Sequence, residues 1–149
     1  MKILVPFNNR SSSSRLALDL AKEHARGYEA EVLVATSADP TKNEKDLPPK
    51  EEAEKALSEV EKEFEQAGIP CSTHLLIRGY SRGEDLVLFA REKEVDEIIV
   101  GVEKKSRVGK FFLGSVAQHL ILKAPCPVVS VKSPQEGQDV YLGSTSMES

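Results

Sequence analysis

"DEIIVGVEKKSRVGKFFLGSVAQHLILKAPCPVVSVK", residues 96 to 132, holds a strand, a long loop, a helix and a second strand, in that order. The run "DEIIVG" (96 to 101) is apolar and β-prone through its centre, as a strand covered on both faces must be. "GSVAQHLILKAP" (114 to 125) reads as a helix that Pro125 ends. "CPVVSVK" (126 to 132) reads as the last strand, and Pro127 at its start blocks no interior ladder bond.

The same alternation runs back to the N-terminus. "KILVPF" (2 to 7) is a strand, and the Ser run from Ser11 to Ser14 caps a helix that places Leu16, Leu20, Ala21 and His24 at helical spacing, with Gly27 as its stop. "EAEVLVAT" (29 to 36) is a second strand. A polar, proline-bearing loop then leads into a helix on which Ala53, Ala56, Leu57, Val60, Phe64 and Ala67 share one face. Acidic residues crowd its first turn, which suits the helix dipole. "CSTHLLI" (71 to 77) is a third strand and "SRGEDLVLFAREKEV" (81 to 95) a third helix. The string β-α-β-α-β-α-β-α-β calls for an α/β fold, a five-stranded, mainly parallel sheet with helices on both faces. Residues 1 to 132 form one domain on this reading. Residues 133 to 149, rich in Ser, Gly and Gln, read as a flexible tail, partly docked through Val140, Tyr141 and Leu142.

The chain has 149 residues and a net charge of -4, so it carries no general attraction for nucleic acid or an anionic membrane. No apolar run reaches the ~20 residues of a membrane helix, and the opening residues are too short for a signal-peptide core, so a cytoplasmic location is expected. Two cysteines, Cys71 and Cys126, make no disulfide framework and read as packing residues. Neither has a metal-ligand partner at motif spacing.

In open parallel sheets, ligands bind beyond the carboxyl ends of the strands, where the strand order reverses. That points to the loop after the first strand, "PFNNRSSS", and the loop after the fourth, "GVEKKSRVGKFFLGS". In the second loop Gly101 lets the chain turn at a strand end. Gly114 and Ser115 open a helix whose free N–H groups suit a phosphate, with Ser115 able to cap it. Lys104, Lys105, Arg107 and Lys110 place four positive charges within seven residues of an otherwise acidic chain. This is neither a Walker loop nor a dinucleotide fingerprint.

These residues resemble the universal stress protein family, over roughly residues 1 to 132. "KILVPF" with its Ser-rich turn and "ALDLA" is similar to the family's opening strand and helix, and "DEIIVG" to its fourth strand. "GSVAQHLILKAPCPVVSVK" is the most specific stretch. The resemblance implies a Rossmann-like sheet in order 3-2-1-4-5, of the adenine nucleotide alpha hydrolase-like kind. It implies homodimers joined through the last strand, Pro127, Val128, Val129, Ser130 and Val131. Nucleotide-binding members carry G-x-x-G, nine residues, then G-[ST]; here Gly101 matches the first glycine, Lys104 takes the second place, and Gly114 and Ser115 complete the motif. The ligand so implied is ATP, alone or with magnesium, with no cofactor required. Its contacts fall on Pro6, Phe7, Asn8, Asn9, Gly101, Lys104, Lys105, Ser106, Arg107, Gly114, Ser115 and Val116.

Two departures bear on that implication. The family's acidic residue for the ribose is replaced by an amide, Asn8 or Asn9 by alignment choice, and a neutral acceptor bonds more weakly. Lys104 narrows the passage for phosphate by its bulk and attracts phosphate by its charge. Two readings follow: an ATP-binding, dimeric module of the stress response that regulates partners through occupancy, and a nucleotide-free interaction module with a degenerate pocket. No catalytic constellation is visible. Asp85, Asp96, His24, His74 and His119 lack partners at motif spacing, no G-x-S-x-G elbow surrounds Ser11 to Ser14, and Glu103, the one carboxylate by the phosphate loop, is expected to be solvated. Slow ATP hydrolysis is the most the pattern allows.

Overall fold

The computed structural model describes residues 1–38, 48–103 and 113–132. The polar loop at 39–47, the loop at 104–112 with Lys104, Lys105, Ser106, Arg107 and Lys110, and the tail from 133 to 149 lie outside them. The described elements are β1 (Lys2–Pro6), α1 (Ser12–Tyr28), β2 (Glu31–Ser37), α2 (Lys50–Gln66), β3 (Cys71–Leu76), α3 (Arg82–Glu92), β4 (Glu97–Val102), α4 (Ser115–Lys123) and β5 (Val128–Lys132). The sheet is parallel, in the order β3-β2-β1-β4-β5 expected from the resemblance.

Side chains alternate across a strand, so each central strand feeds two cores. Ile3, Val5, Val32, Val34 and Ile99 face α1 and α2, where Leu18, Leu57 and Phe64 close over them. Leu4, Leu33, Ala35, Ile98, Val100 and Val102 face α3 and α4, beneath Leu86, Phe89 and Leu120. Burial on both faces is why β1, β2 and β4 lack polar alternation. Each large apolar side chain so buried stabilises the fold by roughly 1.5–3 kcal/mol.

The helix ends follow local chemistry. Ser11 caps α1, its hydroxyl accepting from Ser14 N at 3.3 Å. Ser81 and Glu84 form a reciprocal capping box on α3. Gly27 is not the stop the sequence suggests: α1 runs on to Tyr28, and Glu29 takes the left-handed cap conformation, φ 53°. Its N–H reaches Ala25 O, which secures the turn without glycine. Pro127 lies just before β5, and its carbonyl accepts from Ile98 N at 3.0 Å.

Helix α1 is tied to α2 through Glu63, which binds both Arg15 and Lys22. The Arg15 guanidinium, through its hydrogen bond, holds the Glu63 carboxyl below the usual carboxylate range. The histidines have structural partners. His24 Nδ1 lies 2.8 Å from Glu97 Oε1. His74 Nε2 lies 2.9 Å from Ser72 Oγ, and burial lowers its pKa. His119 packs on Gly83, where a Cβ would come within 2.9 Å of the His119 Cβ, so that glycine brings α3 close to α4. Both cysteines are half-buried and free. Burial pushes the Cys71 thiol up to about 12, far from a reactive thiolate.

Candidate functional site

β1 has β2 on one side and β4 on the other, so the chain's winding reverses between β1 and β4. At the carboxyl ends of these strands lies a cleft of about 430 Å³. Its wall includes Pro6 of β1 with Phe7 and Asn8 just after it, Ser11 at the cap of α1 and Ser14 in its first turn, and Ala35 and Ser37 of β2. Arg82 and Leu86 of α3, Val100 to Glu103 at the end of β4, and Gly114 to Ala117 at the start of α4 complete it.

Seven of the residues expected from sequence line this cleft: Pro6, Phe7, Asn8, Gly101, Gly114, Ser115 and Val116. Asn9 does not line it. Its amide donates to Glu52 Oε2 at 2.9 Å, beside a two-pronged Arg10–Glu52 contact. Lys104, Lys105, Ser106 and Arg107 lie outside the described residues. Ala35, Ser37, Arg82 and Leu86 were missed, because neither phosphate loop contains them. The signal was topological: β2 borders β1, so its last residues end at the same edge.

The turn after β1 is held by its own polar groups. Phe7 N donates to Ala35 O at 2.8 Å, and Thr36 Oγ1 to Phe7 O at 2.9 Å. Asn8 N donates to Ser14 Oγ at 3.1 Å, and Asn8 Oδ1 accepts from Arg10 N at 3.0 Å, an Asx-type turn. Glu52 then staples this turn to the start of α2. The hydrogen bond from Arg10, helped by that from Asn9, lowers its pKa from 4.5 to about 2. A depressed carboxyl stabilises the fold above its unfolded pKa, and that contribution drains away as pH falls through the folded value. Thermal melts between pH 5 and pH 2 are expected to show a shallower acid loss in Glu52→Gln than in the parent chain. Parallel acid limbs would remove the staple.

Gly101 has a role other than the one expected. It sits inside β4, paired with Val131, and is not a turn residue. A Cβ there would lie 2.5 Å from the Ser13 carbonyl carbon and oxygen and 2.6 Å from its Oγ. The glycine is needed because the first turn of α1 presses onto the strand. That contact also corrects the expectation for Glu103. Emerging two residues later, Glu103 reaches α1 instead of solvent: its Oε1 bonds Ser11 Oγ and lies 3.4 Å from Ser13 N. The positive end of the α1 dipole favours a carboxylate in that place.

The start of α4 is different. Its N-cap is Gly114, with no side-chain cap, and Ser115 is the first helical residue instead of the cap. Helix geometry leaves the first-turn N–H groups of α4 without intrahelical acceptors. The cleft thus has one helix start met by an internal carboxylate and one with no side-chain cap. Among the described residues, no group of three or more metal-ligating side chains occurs. None of the described helices is long and apolar enough to cross a membrane.

A family model described as the universal stress protein family matches residues 1–132. A universal stress protein of Methanocaldococcus jannaschii is 32% identical over 148 residues, covering 91% of this chain and 84% of its own. Among solved structures, the universal stress protein from Archaeoglobus fulgidus is 34% identical, with a TM-score of 0.76 over 89% of this chain and 98% of its own. A structure from the same organism in complex with dAMP is 31% identical, with a TM-score of 0.70 over 89% and 98%.

Proposed function

Since this chain belongs to the universal stress protein family, we propose that it is an adenine-nucleotide-binding module whose occupancy regulates a protein partner in the stress response. The observation that carries the reading is the cleft itself. A helix start with no side-chain cap among the described residues, Gly114-Ser115, and the Asn8 turn both line a cavity of about 430 Å³, large enough for a nucleotide. The similar Archaeoglobus fulgidus protein that holds dAMP supports the choice of ligand. ATP, free or with magnesium, binds with its phosphates toward α4 and its sugar toward Asn8. Lys104, Lys105, Ser106 and Arg107 supply further contacts from the loop between β4 and α4.

The reading extends to a cytoplasmic homodimer joined edge to edge through β5. That strand is an edge of the sheet, with Val128, Val129 and Val131 half-buried. Among the described residues β5 ends the strand order, and a strand at the edge of a sheet presents backbone groups to a second copy.

One observation favours the nucleotide-free alternative. The Glu103 carboxylate lies in the cleft wall against α1, where it repels a polyphosphate and satisfies the donors of Ser11 and Ser13. Calorimetric titration with ATP, ADP and dAMP, with and without magnesium, separates the two. Saturable heat with ATP is expected, at micromolar to millimolar affinity. No heat and no thermal shift at millimolar nucleotide would leave the interaction module as the reading.

A further inference from the structure

Two helix starts border the cleft. That of α4 has no side-chain cap among the described residues. That of α1 already meets an anion of the chain itself. Ser11 Oγ donates to Glu103 Oε1, and the same oxygen lies 3.4 Å from Ser13 N. Glu103 is also part of the cleft wall.

Helix α1 does not need this carboxylate as its cap. Ser11 serves that purpose, its hydroxyl accepting from Ser14 N at 3.3 Å. The close approach at Gly101 is what brings Glu103 there. A Cβ on Gly101 would lie 2.5 Å from the Ser13 backbone, so β4 and the first turn of α1 are in contact. The side chain that follows β4 therefore ends against that turn. A glutamine in the same place could accept the same hydrogen bonds with no charge. The charge itself is thus what this residue adds to the cleft.

We infer that Glu103 is the charge-selecting residue of the cleft: its carboxylate, fixed on the first turn of α1, penalises each added phosphate and shifts the site toward a nucleoside monophosphate and away from the triphosphate. This rests on the nucleotide reading above and adds which phosphorylation state Glu103 favours. The exact pose of the ligand matters little. A cavity of about 430 Å³ is on the order of one Debye length across, ~8–10 Å, so screening leaves part of the repulsion anywhere inside it. Coulomb repulsion grows in proportion to ligand charge. A triphosphate carries roughly twice the charge of a monophosphate, and a bare nucleoside carries none. Magnesium on the triphosphate cancels part of that charge, so the penalty falls hardest on metal-free ATP.

The test is Glu103→Gln in the full chain, titrated calorimetrically at low salt with adenosine, AMP and metal-free ATP, and then with ATP and magnesium. Adenosine affinity is expected to stay the same. AMP should bind about 3-fold tighter and metal-free ATP about 10-fold tighter, the logarithm of the gain following ligand charge. ATP with magnesium should gain less than metal-free ATP. Raising the salt should shrink the ATP gain. Without ligand the variant should melt close to the parent temperature, since glutamine can keep the bond from Ser11.

An unchanged ATP affinity overturns the inference, and so does an equal gain for adenosine and ATP, which would point to cleft shape. A variant that bound all three ligands more weakly would make Glu103 a prop for α1 and overturn it too. ATP binding by the variant alone would uphold it in its strongest form. If neither chain bound any of the ligands, the proposed function would fall and the inference with it. If the parent bound ATP and Glu103→Gln bound it equally well, only the role of Glu103 would fall.

Discussion

Gly101→Ala is expected to lower the stability of the fold by about 3 kcal/mol, the upper end of what overpacking usually costs. The reason is which atoms the new methyl meets. Its Cβ would fall 2.5 Å from the carbonyl carbon and oxygen of Ser13, which are backbone and cannot rotate away. Either β4 moves out of register with β1 and β5, or the first turn of α1 lifts from the sheet. Both movements open the cleft, because Ser11, Ser14 and Glu103 belong to that contact. In a chain of 149 residues the loss corresponds to about 6–12 °C in Tm. Differential scanning calorimetry of the ligand-free chain measures it. A drop under one degree would mean that α1 does not press on the strand as described. Gly114→Ala is the matched control: no atom of the described residues lies within 4 Å of a Cβ there, so stability should hardly change.

Arg78→Met is expected to cost about 3 kcal/mol, the low end of the range for breaking a buried ion pair. Asp85 is fully buried in the first turn of α3. Arg78 Nε donates to its Oδ1 at 2.7 Å, and the terminal nitrogen of the same guanidinium lies 2.5 Å from that oxygen. The hydrogen bond to Asp85 raises the Arg78 pKa further, so the guanidinium stays charged at every accessible pH. Asp85 Oδ2 has no hydrogen-bond partner among the described residues, so Arg78 is what offsets the burial of this carboxylate. The arginine side chain is about one-third exposed, and the loss is placed low in the range on that account. The second contact of Arg78, with the exposed Glu92 at 2.9 Å, adds little. Urea denaturation at neutral pH reads the effect as a lower midpoint. Arg78→Met with Asp85→Leu should recover most of it, because the stranded charge is gone. If the single variant loses less than about 0.5 kcal/mol, Asp85 is paired by water and the burial argument fails. Arg82 and Leu86 flank Asp85 on α3 and line the cleft, so the single variant should also weaken nucleotide binding.

The strands and helices were legible because their causes are local. A continuous apolar run such as "EIIV" states burial on both faces, and Ser81 with Glu84 states a helix start. The order 3-2-1-4-5 came from resemblance, since periodicity alone does not order a sheet. Where local logic misled, a tertiary contact was the cause. Gly101 looked like a turn and is extended. Glu103 looked solvated and meets α1. Asn9 looked like a site residue and turns to Glu52.

What the amino-acid sequence by itself determined is therefore the set of elements, the two loops at the switch edge and the family. Hydrophobic period, caps and motif spacing act over a few residues, and they can be read in one dimension. The tertiary structure decided the content of the cleft: that Ser37 and Arg82 belong to it, that Asn9 leaves it, and that Glu103 occupies the start of α1. Ser37, Arg82 and Glu103 come from β2, α3 and the residue after β4, far apart in the chain, and only the packing of helices onto a parallel sheet places them around one cavity.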